Sequence, residues 1–519
     1  MAAHWTCRPL GRSVLFLSAA ALPAAVYGLT LAPSLSWAHG GADGGELLAA
    51  AATGGIAHPP GFPTYLFLAG LVLQLPLGDM ALRLNALSAA MAALASGLVA
   101  LAICRRVRAP APLPWLAGLA GGWLLALSPL VWSQAVITEV YTTALAVAAA
   151  LLLLSRRHAP ARTCLALGLL WGLGLGVHPT LLFFLPLLGY SLWPLERRRA
   201  LCLGLGLLVG LVPYGLLPLR AAAGPALSWG DVTTPSGWWW LVSGAPYRGY
   251  FLGLPPEGWP LHWLGLLVLL VRALSPLGLP LAAYGWTRLW RTERARAVSE
   301  GIAVLALFAF SLAWGTADSS LYLLPALGVL AVWAGEAMAS LSGRLWAASG
   351  GSKQAPSAAG GTSGRPREDL GGGRLAVAAM VLFLLLPLGL LGSGWAEADL
   401  HADESARLFL RTVLAQAPPR ALLISQADRH TFALWAYRYA LADTLAVEGG
   451  GPARSDFAVV DLDLLAFPWY RAGLAAELDL PALAGEGDPW AILQSAGRPL
   501  CTVSDAGLEC DPPPLARQK

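Results

Sequence analysis

Between residues 13 and 394, apolar stretches of near-membrane length follow one another, and arginines cluster in the short gaps between them. A helix needs about 20 mainly apolar residues to cross the hydrocarbon layer, where its backbone groups must be satisfied internally. Such stretches occupy 13–33, 80–103, 115–132, 136–154, 163–178, 179–194, 201–219, 273–290, 301–316, 320–341 and 375–394, several of them interrupted by Pro or Gly. Residues 63–77 and 259–272 are apolar too, but read as re-entrant or interfacial helices. The composition, 56% hydrophobic and 12% charged, carries about half the charge of a soluble domain. The expected fold class is an α-helical polytopic membrane protein of about 11 transmembrane helices. Arg8 and Arg12 precede the first stretch as in a secretory signal, yet its apolar run continues to Leu31, so it reads as a retained helix.

Arginine placement orients the chain. Clusters at 105–108, 156–162, 197–199, 288–296 and 344–374 all fall on one side when the N-terminus is cytoplasmic, and the other side keeps few basic residues. Scattered this way, a net charge of +4 makes no nucleic-acid face. The expected organisation is a membrane domain over 1–341, a flexible cytoplasmic linker rich in Gly, Ser, Ala and Pro over 342–374, a last span at 375–394, and an extracytoplasmic domain over 395–519. That last region has soluble composition. Strand-like runs at 421–424 and 457–460 and helical patterns near 403–416 and 430–441 point to a small C-terminal α/β domain. Cys501 and Cys510 lie in it, where an oxidising compartment permits a bridge; Cys7, Cys104, Cys164 and Cys202 fall in cytoplasmic or membrane positions. No His/Cys cluster has metal-ligand spacing, so a divalent metal finds no support in the sequence.

The loop after the first span carries Gly41-Ala42-Asp43-Gly44-Gly45-Glu46 and Ile56-Ala57-His58-Pro59-Pro60-Gly61-Phe62-Pro63. Ionisable groups at a membrane face are costly and usually functional. On the same face stand Glu139, Tyr141, His178, Arg220, Asp231, Tyr247, Arg248 and Asp318. A carboxylate near basic and phenolic groups can act as general base on a hydroxyl, and an arginine can hold a departing phosphate. Simpler roles stay open: a helix cap for Asp43, an ion pair or cap for Glu139, a hydrogen-bonded turn for His178, headgroup anchoring for Arg220 and Arg248. Trp238-Trp239-Trp240 reads more readily as an interfacial belt than as a sugar-stacking platform.

Asp43-Gly44-Gly45-Glu46 with Gly55-Ile56-Ala57-His58-Pro59-Pro60-Gly61-Phe62-Pro63 resembles the opening signature of the protein O-mannosyltransferase-like family of GT-C type integral-membrane glycosyltransferases. Trp132-Ser133-Gln134 with Thr138-Glu139-Val140-Tyr141, Gly174-Leu175-Gly176-Val177-His178-Pro179-Thr180, and Pro218-Leu219-Arg220 with Trp229-Gly230-Asp231 and Tyr247-Arg248-Gly249-Tyr250 are similar to later ones. Thr431-Phe432-Ala433-Leu434-Trp435 and Trp469-Tyr470 extend the likeness into the tail. Two departures stand out: Gly44 replaces a usual serine, and Pro179 follows His178 where Leu or Thr is usual.

The resemblance implies inverting transfer of a sugar, such as mannose, from a polyprenyl-phosphate carrier to a protein or glycan hydroxyl. Under it Asp43 is the base, and Glu46, counted with it as catalytic, and His58 orient acceptor or donor. Arg220, helped by Arg248, holds the lipid phosphate, while Glu139, Tyr141, His178, Asp231, Tyr247 and Asp318 bind substrate. The competing reading is a transporter or lipid-linked glycan flippase, which Pro/Gly-broken spans also suit; a third is a non-catalytic assembly factor.

Overall fold

A computed structural model describes residues 9–348, 370–449 and 452–510. Cys7, Arg8 and positions 349–369 of the expected linker lie outside the described residues. Six helices among the described residues are long and apolar enough to cross a membrane: Leu10–Thr30, Met80–Arg106, Pro256–Thr292, Arg294–Ala313, Ala317–Trp346 and Gly373–Ala398. Two bent pairs raise that number to eight where each is one span: Leu113–Ala126 with Pro129–Ala135 (66°), and Arg197–Gly210 with Val212–Ala222 (43°). The expected spans at 136–154, 163–178 and 179–194 fall on shorter apolar helices, Tyr141–Leu154, Ala161–Leu175 and Pro179–Leu192. By length alone the count therefore stops short of eleven. Proline lacks the amide hydrogen a helix needs and crowds the preceding turn, so Pro129, Pro179 and Pro213 each fall at or just after a break. Residues 63–77 give the ten-residue helix Pro63–Val72. Residues 259–272 fall on the first of two helices that together run over Trp259–Thr292 and are separated by a kink at Ser275 (φ 66°, ψ 160°).

Close packing uses small residues. Gly168 and Gly172 on one helix face Gly206 and Gly210 on the next, and a Cβ at Gly168 or Gly206 would overlap the carbonyl oxygen of Leu203 or Leu165. Two small residues four apart let backbones approach and replace a hydrophobic drive that lipid cannot supply. At the arginine-rich end a four-charge network is buried. Arg106 and Arg296 each donate to Glu300 Oε1 at 3.0 Å, Arg296 also donates to Glu336, and Trp333 Nε1 donates to Glu300 Oε2 at 2.7 Å. Two positive and two negative charges cancel, which is what makes their burial tolerable.

The C-terminal region forms a four-stranded sheet: β1 (Leu422–Ser425), β2 (Ala458–Asp461), β3 (Leu500–Ser504) and β4 (Gly507–Cys510), in the order β2-β1-β3-β4. The β1 strand is parallel to β2 and β3, and the β3–β4 hairpin places Cys501 opposite Cys510, joined as a disulfide. Alternation decides its packing. Leu422 and Ile424 point into the domain's own core with Val460, Leu474 and Leu493, whereas Leu423, Val459 and Val503 join the core shared with the membrane helices. With both faces covered, β1 and β2 read as unbroken apolar runs. Polar ties fix the domain to the first loop: Leu400 N–H donates to Thr30 O (2.9 Å), Ser36 Oγ to Asp403, and Arg407 to Asp79 (3.3 Å).

Gly206→Val should wedge the two helices apart at a cost on the order of 1–3 kcal/mol, read as a lowered unfolding midpoint in detergent. Gly204, two residues away with no atom within 4 Å of its missing Cβ, is the control: Gly204→Ala should leave the midpoint unchanged. Equal midpoints for both variants would contradict the packing account.

Candidate active site

The first loop is shaped from the start of the Met80–Arg106 helix. Asp79 caps that helix by accepting from Leu82 N–H at 2.7 Å, and also accepts from Ser34 Oγ. One turn in, Asn85 Nδ2 donates to the carbonyls of Ala32 and Ser34 (2.9 Å each), while its Oδ1 accepts from Thr138 Oγ1 at 2.6 Å. Ser88, three residues on and so on the same face, meets the backbone of Glu139 at 3.3 Å. Two buried polar residues in an apolar helix thus bind the first loop to the Trp132–Tyr141 segment.

Asp43 occupies the N-cap position of the Gly44–Thr53 helix, yet its side chain caps nothing. Glu46, one turn along, is fully buried and accepts from His58 twice, from its backbone N–H at 2.8 Å and from its ring Nδ1. The other ring nitrogen, Nε2, lies 3.8 Å from Asp43 Oδ2. Glu46 is therefore committed to His58, whereas the Asp43 side chain keeps 37% exposure. Burial alone would disfavour a charged imidazole, but the carboxylates of Glu46 and Asp43 prevail and push the His58 pKa up to about 10. Asp43 moves the other way from its ordinary behaviour: the protein around its open edge desolvates it and raises its pKa, His58 opposes this, and Glu46 and Asp318 add to it.

Aromatic rings wall this cluster. His58 meets Phe62 edge-on at 5.0 Å, with Trp229 and Tyr247 at 6.1 and 6.2 Å. His178 stacks against Phe62 (6.2 Å) and tilts against Tyr141 (5.3 Å) and Tyr322 (5.5 Å), whose hydroxyl donates to Asp318 at 3.3 Å. The structure thus gathers Asp43, Glu46, His58, Tyr141, His178, Tyr247 and Asp318, with Glu139 buried just behind. His178 Nδ1 also accepts from Thr180 N–H, the hydrogen-bonded turn role. Arg220 sits at the far end of the Gly44–Thr53 helix, its Nε donating to Gly54 O at 2.7 Å. Asp231 and Arg248 do not join the cluster. Both are exposed, and among the described residues their side chains bond within their own loop, to Thr233 (2.6 Å) and Ser243 (2.9 Å). The residue pattern there is that of a turn leading into the Pro235–Val242 helix, which holds the aspartate locally.

The C-terminal domain supplies one wall. The backbone of Phe432 lies so close to Gly45 that a Cβ there would overlap its carbonyl, so only glycine fits. Trp229 packs on Trp469 at 5.4 Å, and Trp240 on Phe467 at 5.6 Å. The three consecutive tryptophans separate: Trp238 Nε1 donates to Tyr214 O (2.9 Å), Trp239 is exposed, and Trp240 meets the tail. This packing also brings Asp428, at the start of the Asp428–Ala436 helix, toward the cluster. Burial and the charges of Asp43, Asp461 and Glu46 push its pKa up to about 6. Sequence reasoning misses Asp428, Asn85 and Ser88. The latter two carry a signal, polar residues three apart within an apolar span; Asp428 has only its place ahead of the Thr431–Trp435 motif. Among the described residues, no group of three or more His, Cys, Asp or Glu side chains has the geometry to hold a metal.

Residues 43–199 match the family model described as the protein O-mannosyl-transferase TMEM260 N-terminal domain. The chain is 26% identical over 498 residues to protein O-mannosyl-transferase TMEM260 of Mus musculus, covering 90% of this chain and 65% of that protein, so it spans just under two thirds of the relative's length. Among solved structures it is similar to ArnT from Cupriavidus metallidurans bound to undecaprenyl phosphate (TM-score 0.54, 17% identity, 89% of this chain and 92% of that one). It is also similar to the apo oligosaccharyltransferase of Archaeoglobus fulgidus (TM-score 0.52, 13% identity, 96% and 70%). The resemblance carried by the sequence signatures is borne out, and the fold is that of a GT-C type multi-pass membrane protein with a small C-terminal sheet.

The His58–Glu46 pair has a signed pH dependence. The His58 pKa is raised from 6.5 to about 10 on folding, so the stability it contributes is complete below pH 6.5 and lost as pH climbs toward 10. Protease sensitivity of the 40–62 loop should therefore rise steeply across that alkaline window. In Glu46→Gln, which lacks the main charge on the imidazole, sensitivity should already be high at neutral pH. A flat profile in the unsubstituted chain would count against the pair.

Proposed function

We propose that this chain is a membrane glycosyltransferase that moves a sugar from a polyprenyl-phosphate carrier to a hydroxyl acceptor, with inversion and with Asp43 as general base. The observation that carries this reading is the division of labour between two neighbouring carboxylates: Glu46 is fully buried and bonded to His58, whereas Asp43 is open and caps nothing. Desolvation makes Asp43 a stronger base than an ordinary aspartate while His58 holds it in place. Asp43 takes the proton from the acceptor O–H as that oxygen attacks C1, and the C1–O bond to phosphate breaks with its electron pair leaving on the lipid phosphate. One displacement needs one base, unlike the two-step covalent route of retaining glycosidases.

Arg220 holds the departing phosphate. By helix rise, the Gly54 end where it sits lies roughly 15 Å from the Asp43 end. An in-line array from base oxygen through acceptor, C1 and phosphorus to a guanidinium extends on the order of 10–12 Å with ordinary hydrogen bonds at its ends, the same scale once side chains reach inward. Tyr141, His178, Tyr247 and Asp318, gathered about the Asp43–His58 pair, bind sugar or acceptor hydroxyls with Glu139 behind them; Asp428 joins them from the C-terminal domain. Mannose is the sugar favoured by the name of the mouse relative, and a polyprenyl phosphate is the donor carrier favoured by the undecaprenyl phosphate bound to ArnT. Arginine segregation supports an extracytoplasmic site and a cytoplasmic N-terminus; a bacterial inner membrane is the compartment we assign to it. The boundaries 1–341, 342–374, 375–394 and 395–519 remain our division of the chain.

Purified chain supplied with polyprenyl-phosphate mannose and a threonine-containing peptide should transfer sugar. Asp43→Asn should lower the rate about a hundredfold or more, and Arg220→Ala should raise KM for the lipid donor as well as lower turnover. The rate should fall as pH drops through the raised Asp43 pKa, which lies above the ordinary 3.8, and fall again as His58 deprotonates near pH 10. Undiminished transfer by Asp43→Asn would sink the assignment of the base.

A further inference from the structure

The two ring nitrogens of His178 are not equivalent. Nδ1 accepts from the backbone N–H of Thr180 at 3.3 Å and lies 2.8 Å from the Thr180 hydroxyl. A backbone N–H can only donate, so Nδ1 offers its lone pair and carries no hydrogen. In a neutral imidazole the hydrogen then sits on Nε2, because the bond made by one nitrogen sets the state of the other. Pro179 has no N–H, which leaves Thr180 as the first amide of the turn able to reach back to the ring. Thr180 is itself buried, so water does not compete for these bonds.

Nε2 is the free end of the ring. It has no hydrogen-bond partner among the described residues, and it is not one of the buried polar atoms cut off from solvent. The groups around it differ in what they offer. The carboxylates of Asp43 and Asp318 only accept, and the Tyr322 hydroxyl is already given to Asp318 at 3.3 Å. A hydroxyl bound among such acids gives its hydrogen to one of them and needs a donor for its own oxygen. Nε2–H supplies one without a positive charge, so no carboxylate is drawn into an ion pair with it, as Glu46 is with His58.

Placement decides which hydroxyl this is. His178, Tyr141 and Tyr322 stand at the starts of the apolar segments Pro179–Leu192, Tyr141–Leu154 and Ala317–Trp346, with their rings in contact. They form the membrane side of the cluster, whereas the opposite wall is the C-terminal domain, through Phe432 and Trp469. A lipid-borne sugar arrives from the first side and a water-borne acceptor from the second. Phe62 and Tyr141 beside the imidazole give the apolar face of a pyranose flat surfaces to rest on. Building on the transferase reading above, we propose that His178, held in its Nε2–H form by Thr180, recognises one ring hydroxyl of the sugar on the lipid carrier by donating to that hydroxyl's oxygen. His178 thereby sets sugar specificity, and Thr180 is a positioning residue.

The test gives the full chain polyprenyl-phosphate mannose and the set of its monodeoxy analogues, with a threonine-containing peptide as acceptor. One analogue should lose at least about tenfold in kcat/KM, because the donor meant for its hydroxyl is left unpaired. In His178→Phe that one penalty should vanish while the ratios for the other analogues stay. In His178→Gln, whose amide N–H falls near Nε2, it should persist. Thr180→Val should shrink the same penalty and raise KM for the lipid donor, and Thr180→Ser should restore both. A merely structural loss would lower every donor alike. Imidazole nitrogen NMR shifts, with the His178 signals identified by their loss in His178→Gln, should show hydrogen on Nε2 and none on Nδ1 at neutral pH. Hydrogen on Nδ1, no analogue singled out, or a penalty unchanged in His178→Phe would overturn the proposal and leave the transferase reading standing. Failure of the unsubstituted chain to transfer the parent sugar would instead sink that reading, and this inference with it.

Discussion

A carboxylate with no exposed surface must find a cation, and at the first loop that requirement shapes everything around it. Glu46 lies at the start of a helix and His58 twelve residues later, beyond the helix's end. Their contact folds the chain back on itself, so that the Pro-Pro-Gly-Phe-Pro run returns beneath the helix it follows. Breaking a buried pair by removing one partner costs about 3–5 kcal/mol because a charge is left alone. The return is therefore firmly held. It sets Phe62 against His178 and presents the His58 ring to Asp43, and the aromatic walls follow from where that ring stands.

The C-terminal domain is part of the same device. Gly45 allows the Phe432 backbone to touch the first turn of the Asp43 helix, and Asp79 pairs with Arg407 from the tail while capping the next long helix. Trp229 and Trp240 meet Trp469 and Phe467 across the seam. A domain attached only by the Leu370–Ala398 helix would be free to swing; these contacts make it a fixed wall of the cluster. Substitutions at Gly45 or Phe432 would thus disturb the site through packing, with no chemical role of their own.

Much of this was legible in one dimension because it rests on local pattern. Apolar length marked the spans, arginine clusters marked one end of the bundle, and unbroken apolar runs marked β1 and β2. The isolated carboxylates at 43 and 46 marked the site. Other features depend on partners distant in sequence. The Arg106–Arg296–Glu300–Glu336 network joins residues that each read as ordinary loop or helix-end charges. Asp428 reads as one more acid in an acid-rich soluble segment, and only tertiary packing turns it toward Asp43. The β3–β4 hairpin is short and half polar, so its strands give a weak pattern, although its two cysteines suggested that the chain closes there. Asp231 and Arg248 share the charge and neighbourhood of site residues, and nothing in a linear sequence distinguishes a side chain bonded within its own turn from one facing a pocket.

The two ends of the bundle treat charge in opposite ways. At the arginine-rich end, two cations and two anions close on one another and nothing is left over. At the other end Asp43, Glu46, Asp318 and Asp428 gather around the His58 imidazolium, so acids outnumber that cation. A closed network stabilises; an unbalanced one demands a visitor. Hydroxyl groups can donate to several carboxylates at once, and positive charge growing at a sugar C1 would be met by the same excess of negative charge. That excess repels a phosphate, which gives physical sense to an arginine kept at the far end of the Gly44–Thr53 helix, away from the acids and anchored to Gly54. Under the proposed function, separation of the acid cluster from Arg220 lets one site attract both ends of a sugar phosphate without the two charges cancelling each other first.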